Sequence, residues 1–344
     1  MHLEHDVPLA PKTTLGLGGR ARRFVRATSV DELKEALSHA ERAHENVLVL
    51  GGGSNLVVGD EGWDGLVVQI DLRGVAVRPQ GQDAVVSAFA GEPWDDFVAS
   101  MVDSELAGVE CLSGIPGLVG ATPMQNVGAY GQEVADTIVQ VRALDRTTGE
   151  VVTFQRGECA FSYRSSLFKG SSRWVVIEVQ FRFARSIDST PVRYAELARA
   201  LGIAEGERAV MAEVRRVVIE LRRGKGMVVD PADPESQSAG SFFVNPILDG
   251  AGLVALRARA GGASVPCFAV TEGRTKVSAA WLIEQAGFVK GYTMGRVGIS
   301  KKHALALVNR GGTARELLDL ARAIQDRVRE EFGVELVREP VVVG

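Results

Sequence analysis

One stretch constrains this chain more than any other: Ser113-Gly-Ile-Pro-Gly-Leu-Val-Gly-Ala-Thr-Pro-Met-Gln-Asn-Val-Gly-Ala-Tyr-Gly131. Five glycines and two prolines fall within its nineteen positions. Such a run can be neither a regular helix nor a central strand, because Gly is entropically costly there and Pro removes a donor. Ile115, Leu118, Val119, Met124 and Val127 are nevertheless interleaved, so it is not a solvated linker either. A glycine-rich segment that carries core residues reads as buried backbone lying against something flat and large. A second run, Gly51-Gly-Gly-Ser-Asn55, gives the chain two such loops. An extended cofactor with a diphosphate needs such a pair, since backbone N–H groups cradle its oxygens.

The flanks of the second run exclude one common solution. Asn46-Val-Leu-Val-Leu50 reads as a buried strand feeding Gly51. A dinucleotide fingerprint of the doubly wound type would now start a helix. Instead Leu56-Val57-Val58 follows, then Gly59-Asp-Glu-Gly62, then the strand Gly65-Leu-Val-Val-Gln-Ile70. The order is strand, loop, strand, so a diphosphate would be held here, but not in the nicotinamide-dinucleotide manner. Gly16-Leu-Gly-Gly19 repeats the signal weakly and reads as a turn.

Totals exclude further classes. The 344 residues allow two or three domains and a large core. A net charge of −4 argues against general nucleic-acid binding. No apolar run approaches the roughly 18 residues that span a bilayer, and Met1-His-Leu-Glu-His-Asp6 is no secretory signal. Cys111, Cys159 and Cys267 are odd in number and widely spaced, which suits reduced thiols in a cytosol. Of five histidines, four precede residue 45, without ligand spacing, so no metal site is expected.

Elsewhere, Ser29-Val-Asp-Glu32 reads as a capping box before a helix with Leu33, Ala36, Leu37 and Ala40 on its apolar face. Ala84–Ala90 is a strand and Trp94–Glu105 a helix. Thr137–Asp145 and Glu150–Phe154 form a hairpin around Thr147-Thr-Gly149. Trp174–Phe183 is the strongest strand in the chain, and the polar stretch Ser186–Pro191 marks a boundary. Two helices follow, the second with a stripe of Val210, Val214, Val217, Val218 and Leu221. Asp230–Gly240 is a loop, Ala279–Ala286 a helix, and Thr313 with Glu316 caps a long helix. The chain closes on a short strand, Glu335–Pro340, followed by Val341-Val-Val343.

Four polar residues stand where packing does not ask for them: Arg164 before Leu167-Phe168, Lys225 between glycines, Ser241 between Gly240 and two phenylalanines, and Glu339 before Pro340. Each alone has a commonplace explanation, as a surface arginine, a turn serine or a solvated glutamate. The ordered set of motifs changes that. Thr13–Gly19, Leu50–Asn55, Ser113–Gly117, Pro123–Gly131, Phe161-Ser-Tyr-Arg164, Ala239-Gly-Ser-Phe-Phe-Val-Asn-Pro246, Lys276–Gln285 and Arg338-Glu-Pro340 together resemble the UDP-N-acetylenolpyruvoylglucosamine reductases, also called UDP-N-acetylmuramate dehydrogenases. The resemblance runs from about residue 11 to the end of the chain, and the segment around Pro191-Val-Arg-Tyr194 is similar to the subgroup with a tyrosine-bearing substrate loop.

The resemblance implies a mixed α/β, FAD-binding fold of the vanillyl-alcohol-oxidase type. It implies a first flavin subdomain over residues 1–75, to which the strand 334–344 returns. A second flavin subdomain would cover 76–223, and a substrate-binding α+β subdomain 224–333. Carried over residue by residue, Gly51, Gly52, Gly53, Ser54, Asn55, Leu56, Gly114, Ile115, Pro116, Gly117, Gly120, Ala121, Gln125, Asn126, Gly128, Ala129 and Tyr130 would line a non-covalent FAD. Tyr194, Lys225, Asn245 and Gln285 would touch the UDP-sugar, and Arg164, Ser241 and Glu339 would be catalytic. Around Lys225 this sequence departs from the family, since Gly224–Pro231 is longer by apolar residues than the usual run.

The implied activity is cytoplasmic, in peptidoglycan precursor synthesis, by a monomer. NADPH gives a hydride to the flavin, and the enolpyruvyl ether takes it at the vinyl carbon. Arg164 would stabilise the resulting enolate-like charge. Ser241 would deliver a proton, and Glu339 would polarise or orient the enolate. A flavin oxidase of the same fold acting on another substrate would keep the glycine loops without needing Ser241 and Glu339 together. A non-catalytic UDP-sugar sensor would explain Lys225 and Tyr194 but not Arg164.

Overall fold

The computed structural model describes residues 1–270 and 273–344. Among these, no helix is long and apolar enough to cross a membrane. The chain divides into two compact units. The first comprises Met1–Val7, Ala21–Gly52 and Asp64–Gly224, and the second Pro8–Arg20, Gly53–Trp63 and Lys225–Gly344.

The first unit is built on two sheets. One has four strands, in the order Leu3–Pro8, Arg20–Ala27, Trp63–Ile70, Val47–Leu50. Its last two strands are parallel, with Val47 opposite Leu66 and Leu50 opposite Gln69. Parallel neighbours need a crossover, and residues 51–62 make it without a helix, as the flanking sequence requires. The helix Val30–Arg42 starts at Ser29, whose side chain accepts from Glu32 N–H at 3.1 Å. The second half of the expected box is displaced by one residue. The Glu32 carboxylate accepts from both the N–H and the hydroxyl of Thr28, at 2.8 and 2.7 Å.

The larger sheet runs Val151–Gln155, Ile138–Asp145, Trp174–Arg185, Asp83–Phe89, Val75–Gln80, with Leu106–Ala107 also paired to Trp174–Arg185. Every pairing is antiparallel. Val179, Phe181 and Phe183, two residues apart, all enter the core. The helix Trp94–Asp103 meets them, with ring centroids 5.1 Å apart for Phe97 and Phe181 and 6.3 Å for Trp94 and Phe181. A smaller cluster of Cys111, Val192, Leu197, Val214, Val217 and Val218 gathers the helices Ala195–Leu201 and Met211–Gly224.

The second unit packs around the helix Ala314–Phe332, whose Leu317, Leu320, Ala321, Ile324 and Val328 are buried. Its expected capping box is complete: Thr313 and Glu316 exchange bonds of 3.1 and 2.8 Å. The sequence left the helix Gly250–Arg259 unread, since its first turn carries two glycines; Asp249 caps it by accepting from Gly252 N–H at 2.7 Å. The end of the chain departs from expectation. Glu335–Pro340 is not a regular strand. The strand is Val341–Val343, parallel to Leu56–Val58, because Pro340 has no N–H to give a ladder.

Removing the Phe181 ring tests the aromatic core. Phe181→Ala is expected to lower stability by about 3–5 kcal/mol, read as a lower urea midpoint at unchanged slope. An unchanged midpoint would mean that these rings do not carry the packing.

Candidate active site

In the first unit the two glycine runs meet. A Cβ on Gly52 would lie 2.9 Å from the Cα of Gly117, closer than any side chain tolerates. The long loop is pinned beside the strand Asp83–Phe89: Gly120 N–H donates to Ala90 O at 3.0 Å, Val119 N–H to Glu92 O at 2.9 Å, and Trp94 N–H to Gly117 O at 3.0 Å. Gly114 and Gly117 have φ of +70° and +118°, which glycine adopts freely. Gly114 N–H donates to Asp95 at 2.6 Å, and Arg215 holds that carboxylate with two bonds of 2.6 and 3.1 Å. Burial alone would raise the Asp95 pKa. The Arg215 and Gly114 bonds outweigh it and hold the group below its ordinary value.

The rest of the Gly51–Asn55 run lies in the second unit. Gly53 has φ +63°, and a Cβ there would strike the Lys12 carbonyl. Thr14 N–H donates to Gly53 O at 3.1 Å, so the Thr13–Gly19 motif is the wall on which this run rests. Backbone amides bare of side chains suit a diphosphate, and the residues present therefore fit an FAD. Ile115, Pro116, Gln125 and Ala129 are half-buried and Ala121 is exposed; Ser54, Asn55 and Leu56 are half-buried.

The far end of the long loop is strained and tied down. Asn126, Tyr130 and Arg164 have φ of +45°, +48° and +53°. Such backbone is unfavourable by about 1–3 kcal/mol per residue and collects at functional sites. Asn126 accepts from Ala135 N–H at 3.1 Å and donates to Glu133 at 2.7 Å and to Ser162 O at 3.2 Å. Arg164 sits in a tight turn closed by two bonds between Ser162 and Ser165. Its guanidinium donates to Gly128 O at 2.8 Å, which fixes the cation against the glycine loop. Tyr194 is 44% exposed, while Val192 and Leu197 beside it are buried. Its ring meets Tyr130 edge-on at 5.4 Å. Burial pushes the Tyr130 hydroxyl up to about 12, although the neighbouring Arg222 opposes this. Burial lowers Arg222 itself to about 10, against the pull of Tyr130 and Asp95.

The second unit holds Ser241, Glu339, Lys225, Asn245 and Gln285. Ser241–Phe243 runs antiparallel to Arg338–Glu339. Glu339 N–H donates to Phe242 O at 2.9 Å, and Phe243 bridges Arg338. Asn55 donates to Glu339 O at 3.3 Å, so the Glu339 backbone is gripped from both sides. Phe242 and Phe243 are fully in the core and fix the backbone that presents Ser241. Asn245 accepts from Ala279 N–H at 2.9 Å, at the start of the helix Ala279–Gln285, and the exposed Gln285 ends that helix. Lys225 is half-buried directly after Met211–Gly224; a Cβ on the adjacent Gly226 would lie 2.8 Å from Glu235 O.

Sequence reasoning missed Asp95, Glu110, Gln132 and Arg215. Asp95 and Arg215 look like ordinary first-turn and surface charges of their helices. Glu110 carries one faint signal, a lone charge in the apolar run Val109-Glu-Cys-Leu112.

Known proteins resemble this chain along its length. Residues 231–343 match the family model of the UDP-N-acetylenolpyruvoylglucosamine reductase C-terminal domain, and residues 21–155 match an FAD binding domain. The UDP-N-acetylenolpyruvoylglucosamine reductase of Thermobifida fusca is 52% identical over 98% of this chain and 97% of its own. That of Salinispora arenicola is 53% identical over 100% of this chain and 96% of its own. The crystal structure of the UDP-N-acetylenolpyruvylglucosamine reductase from Thermus caldophilus is similar with a TM-score of 0.67, at 26% identity, over 100% of both chains. With the glycine cradle, the Arg164 turn and the Phe242–Glu339 backbone bond present beside these full-length likenesses, the chain belongs to the UDP-N-acetylenolpyruvoylglucosamine reductase family.

Proposed function

We propose that the protein reduces the enolpyruvyl group of a UDP-N-acetylglucosamine enolpyruvate, giving UDP-N-acetylmuramate for peptidoglycan synthesis in the cytoplasm. It is an FAD-dependent oxidoreductase that uses NADPH. FAD supplies the hydride chemistry, with NADPH as source and the terminal vinyl carbon as destination. The glycines of both runs, with Asn126 and Tyr130, hold it. Tyr194, Lys225, Asn245 and Gln285 bind the UDP-sugar. The protein works as a monomer.

The chain's own residues then manage charge and one proton. Hydride arrival leaves negative charge spread over the neighbouring substrate carbon and the carboxylate. Arg164 stabilises that charge, and its bond to Gly128 O keeps the cation from drifting. Ser241 gives its hydroxyl proton to the neighbouring carbon. A serine hydroxyl is a poor acid, so position matters, and Phe242 N–H fixes it by donating to Leu305 O at 2.7 Å. Glu339 orients the enolate and polarises it. The single observation that carries this reading is the bond from Glu339 N–H to Phe242 O, which aligns the acid-bearing and carboxylate-bearing segments.

Anaerobic stopped-flow tests the two halves separately. NADPH is expected to bleach the bound flavin, and the enolpyruvyl sugar to restore its colour. Ser241→Ala is expected to leave the first phase intact and slow the second by at least roughly 10²–10⁴-fold. Equal damage to both phases would make Ser241 a structural residue.

Tyr194→Phe probes the substrate segment. The melting temperature and the NADPH phase are expected to hold, while the Kd for the UDP-sugar rises about tenfold, because a hydrogen bond to a charged acceptor contributes about 1.5–3 kcal/mol. A lower melting temperature with affinity intact would instead make Tyr194 a packing residue.

A further inference from the structure

Glu110 is 0% exposed, yet its carboxylate is held by neutral donors from three separate segments. Gly108 N–H donates at 2.6 Å, the Gln132 amide at 2.9 Å, and Thr190 twice, through its N–H at 2.7 Å and its hydroxyl at 2.9 Å. The Gln132 amide also donates to the Thr190 hydroxyl at 2.6 Å, and its carbonyl accepts from Cys111 N–H at 2.8 Å. Glu110, Gln132 and Thr190 thus close a triangle. A buried carboxylate persists only while its hydrogen bonds are made. Withdrawing Thr190 would strip it of two donors at once, so this charge holds residue 190 in place.

The triangle sits at the root of a longer seam. The Tyr130 and Tyr194 rings meet at 5.4 Å. A Cβ on Gly131 would lie 3.2 Å from the Arg193 Cβ. Gln132 bonds Thr190. Three successive residues of the glycine loop therefore abut the segment that carries Tyr194. Glycine at 131 is what lets the two backbones approach, and its φ of +82° suits no other residue well.

We infer that Glu110, Gln132 and Thr190 are positioning residues that set the place of Tyr194 from the cofactor loop, so that affinity for the UDP-sugar is fixed by a buried carboxylate remote from the reacting atoms. This rests on the reading of Tyr194 as a substrate residue. The Tyr194 side chain is half exposed and its ring meets Tyr130, while its carbonyl accepts from Ala198 N–H at 2.9 Å; the buried triangle four residues upstream adds an anchor on the other side of the segment.

The test uses the full-length flavin-loaded enzyme. Glu110→Gln endangers folding, because it turns an acceptor into a donor inside a ring of donors. Thr190→Val keeps the shape and removes only the hydroxyl, and Thr190→Ser restores it. Thr190→Val is expected to raise the Kd for UDP-N-acetylmuramate about tenfold, read from the flavin absorbance change, with NADPH reduction of the flavin at its native rate. Thr190→Ser is expected to bind as the native protein does. In the Thr190→Val background, adding Tyr194→Phe is expected to weaken binding less than about threefold, because a misplaced tyrosine has little left to lose. Fully multiplicative losses would overturn the inference, as would Thr190→Val lowering the melting temperature with Kd intact. If Tyr194→Phe alone leaves Kd unchanged, the reading of Tyr194 fails and the clamp with it. If Tyr194→Phe weakens binding and Thr190→Val does not, the clamp alone fails.

Discussion

The approach of Gly52 to Gly117 governs the placement of what surrounds it. Two backbones come within reach of each other because neither residue has a Cβ, and a methyl on Gly52 would lie 2.9 Å from the opposite Cα. With that contact made, the long loop is committed to its path along Ala90–Trp94. Its far end then arrives at Gly128, where the carbonyl captures the Arg164 guanidinium, and at Tyr130, which meets Tyr194. Cation and tyrosine are placed by a chain of main-chain bonds that begins at a pair of glycines.

Partly buried charge does the rest of the organising, and it is unevenly shared. On the surface, Arg216 pairs with both Glu213 and Glu220, and such exposed pairs contribute little. Inside the first unit, Asp95 joins the start of the glycine loop to the helix Met211–Gly224 through Arg215. Its pKa is held down in the folded chain. Its stabilising contribution is therefore present above the unfolded carboxylate value and is lost as pH falls through the folded one. The loop carries an acid-sensitive tether.

The sequence made much of this readable, for physical reasons that differ by element. The helices Met211–Gly224 and Ala314–Phe332 show apolar stripes, although Val210, expected on the first, precedes that helix and is 49% exposed, and the strand Trp174–Arg185 alternates into its core. Period and capping chemistry sufficed there. The glycine runs announced a cradle because no regular element tolerates them. The terminal strand starts only after Pro340, which has no N–H for a ladder, and its partner, Leu56–Val58, lies too far away in sequence for a local pattern to reveal. The Glu32 carboxylate takes the N–H and hydroxyl of Thr28, a neighbour of the expected cap that the box pattern does not include. Glu110 and Asp95 were invisible for a simpler reason. Whether an acidic residue is solvated or buried among donors depends on segments tens of residues away, such as Thr190 and Arg215, and no local pattern records that. Arg164, Ser241 and Glu339 are proposed as a set through their ordered motifs, since no local pattern links them.

The second unit is assembled from three separated pieces, residues 8–20, 53–63 and 225–344. That interleaving sets a timetable for synthesis. The first unit is complete in sequence by residue 224, and domains fold as they emerge from the ribosome. Leu15, Leu17 and Val57, by contrast, belong to a core whose other members all come after residue 240. For most of translation these apolar side chains have no partners, and the strand Leu56–Val58 is an open edge awaiting Val341–Val343. A nascent chain near residue 224 is therefore half a folded protein with two sticky segments looped out of it, and the interval until the last strand emerges is when chaperones would matter most.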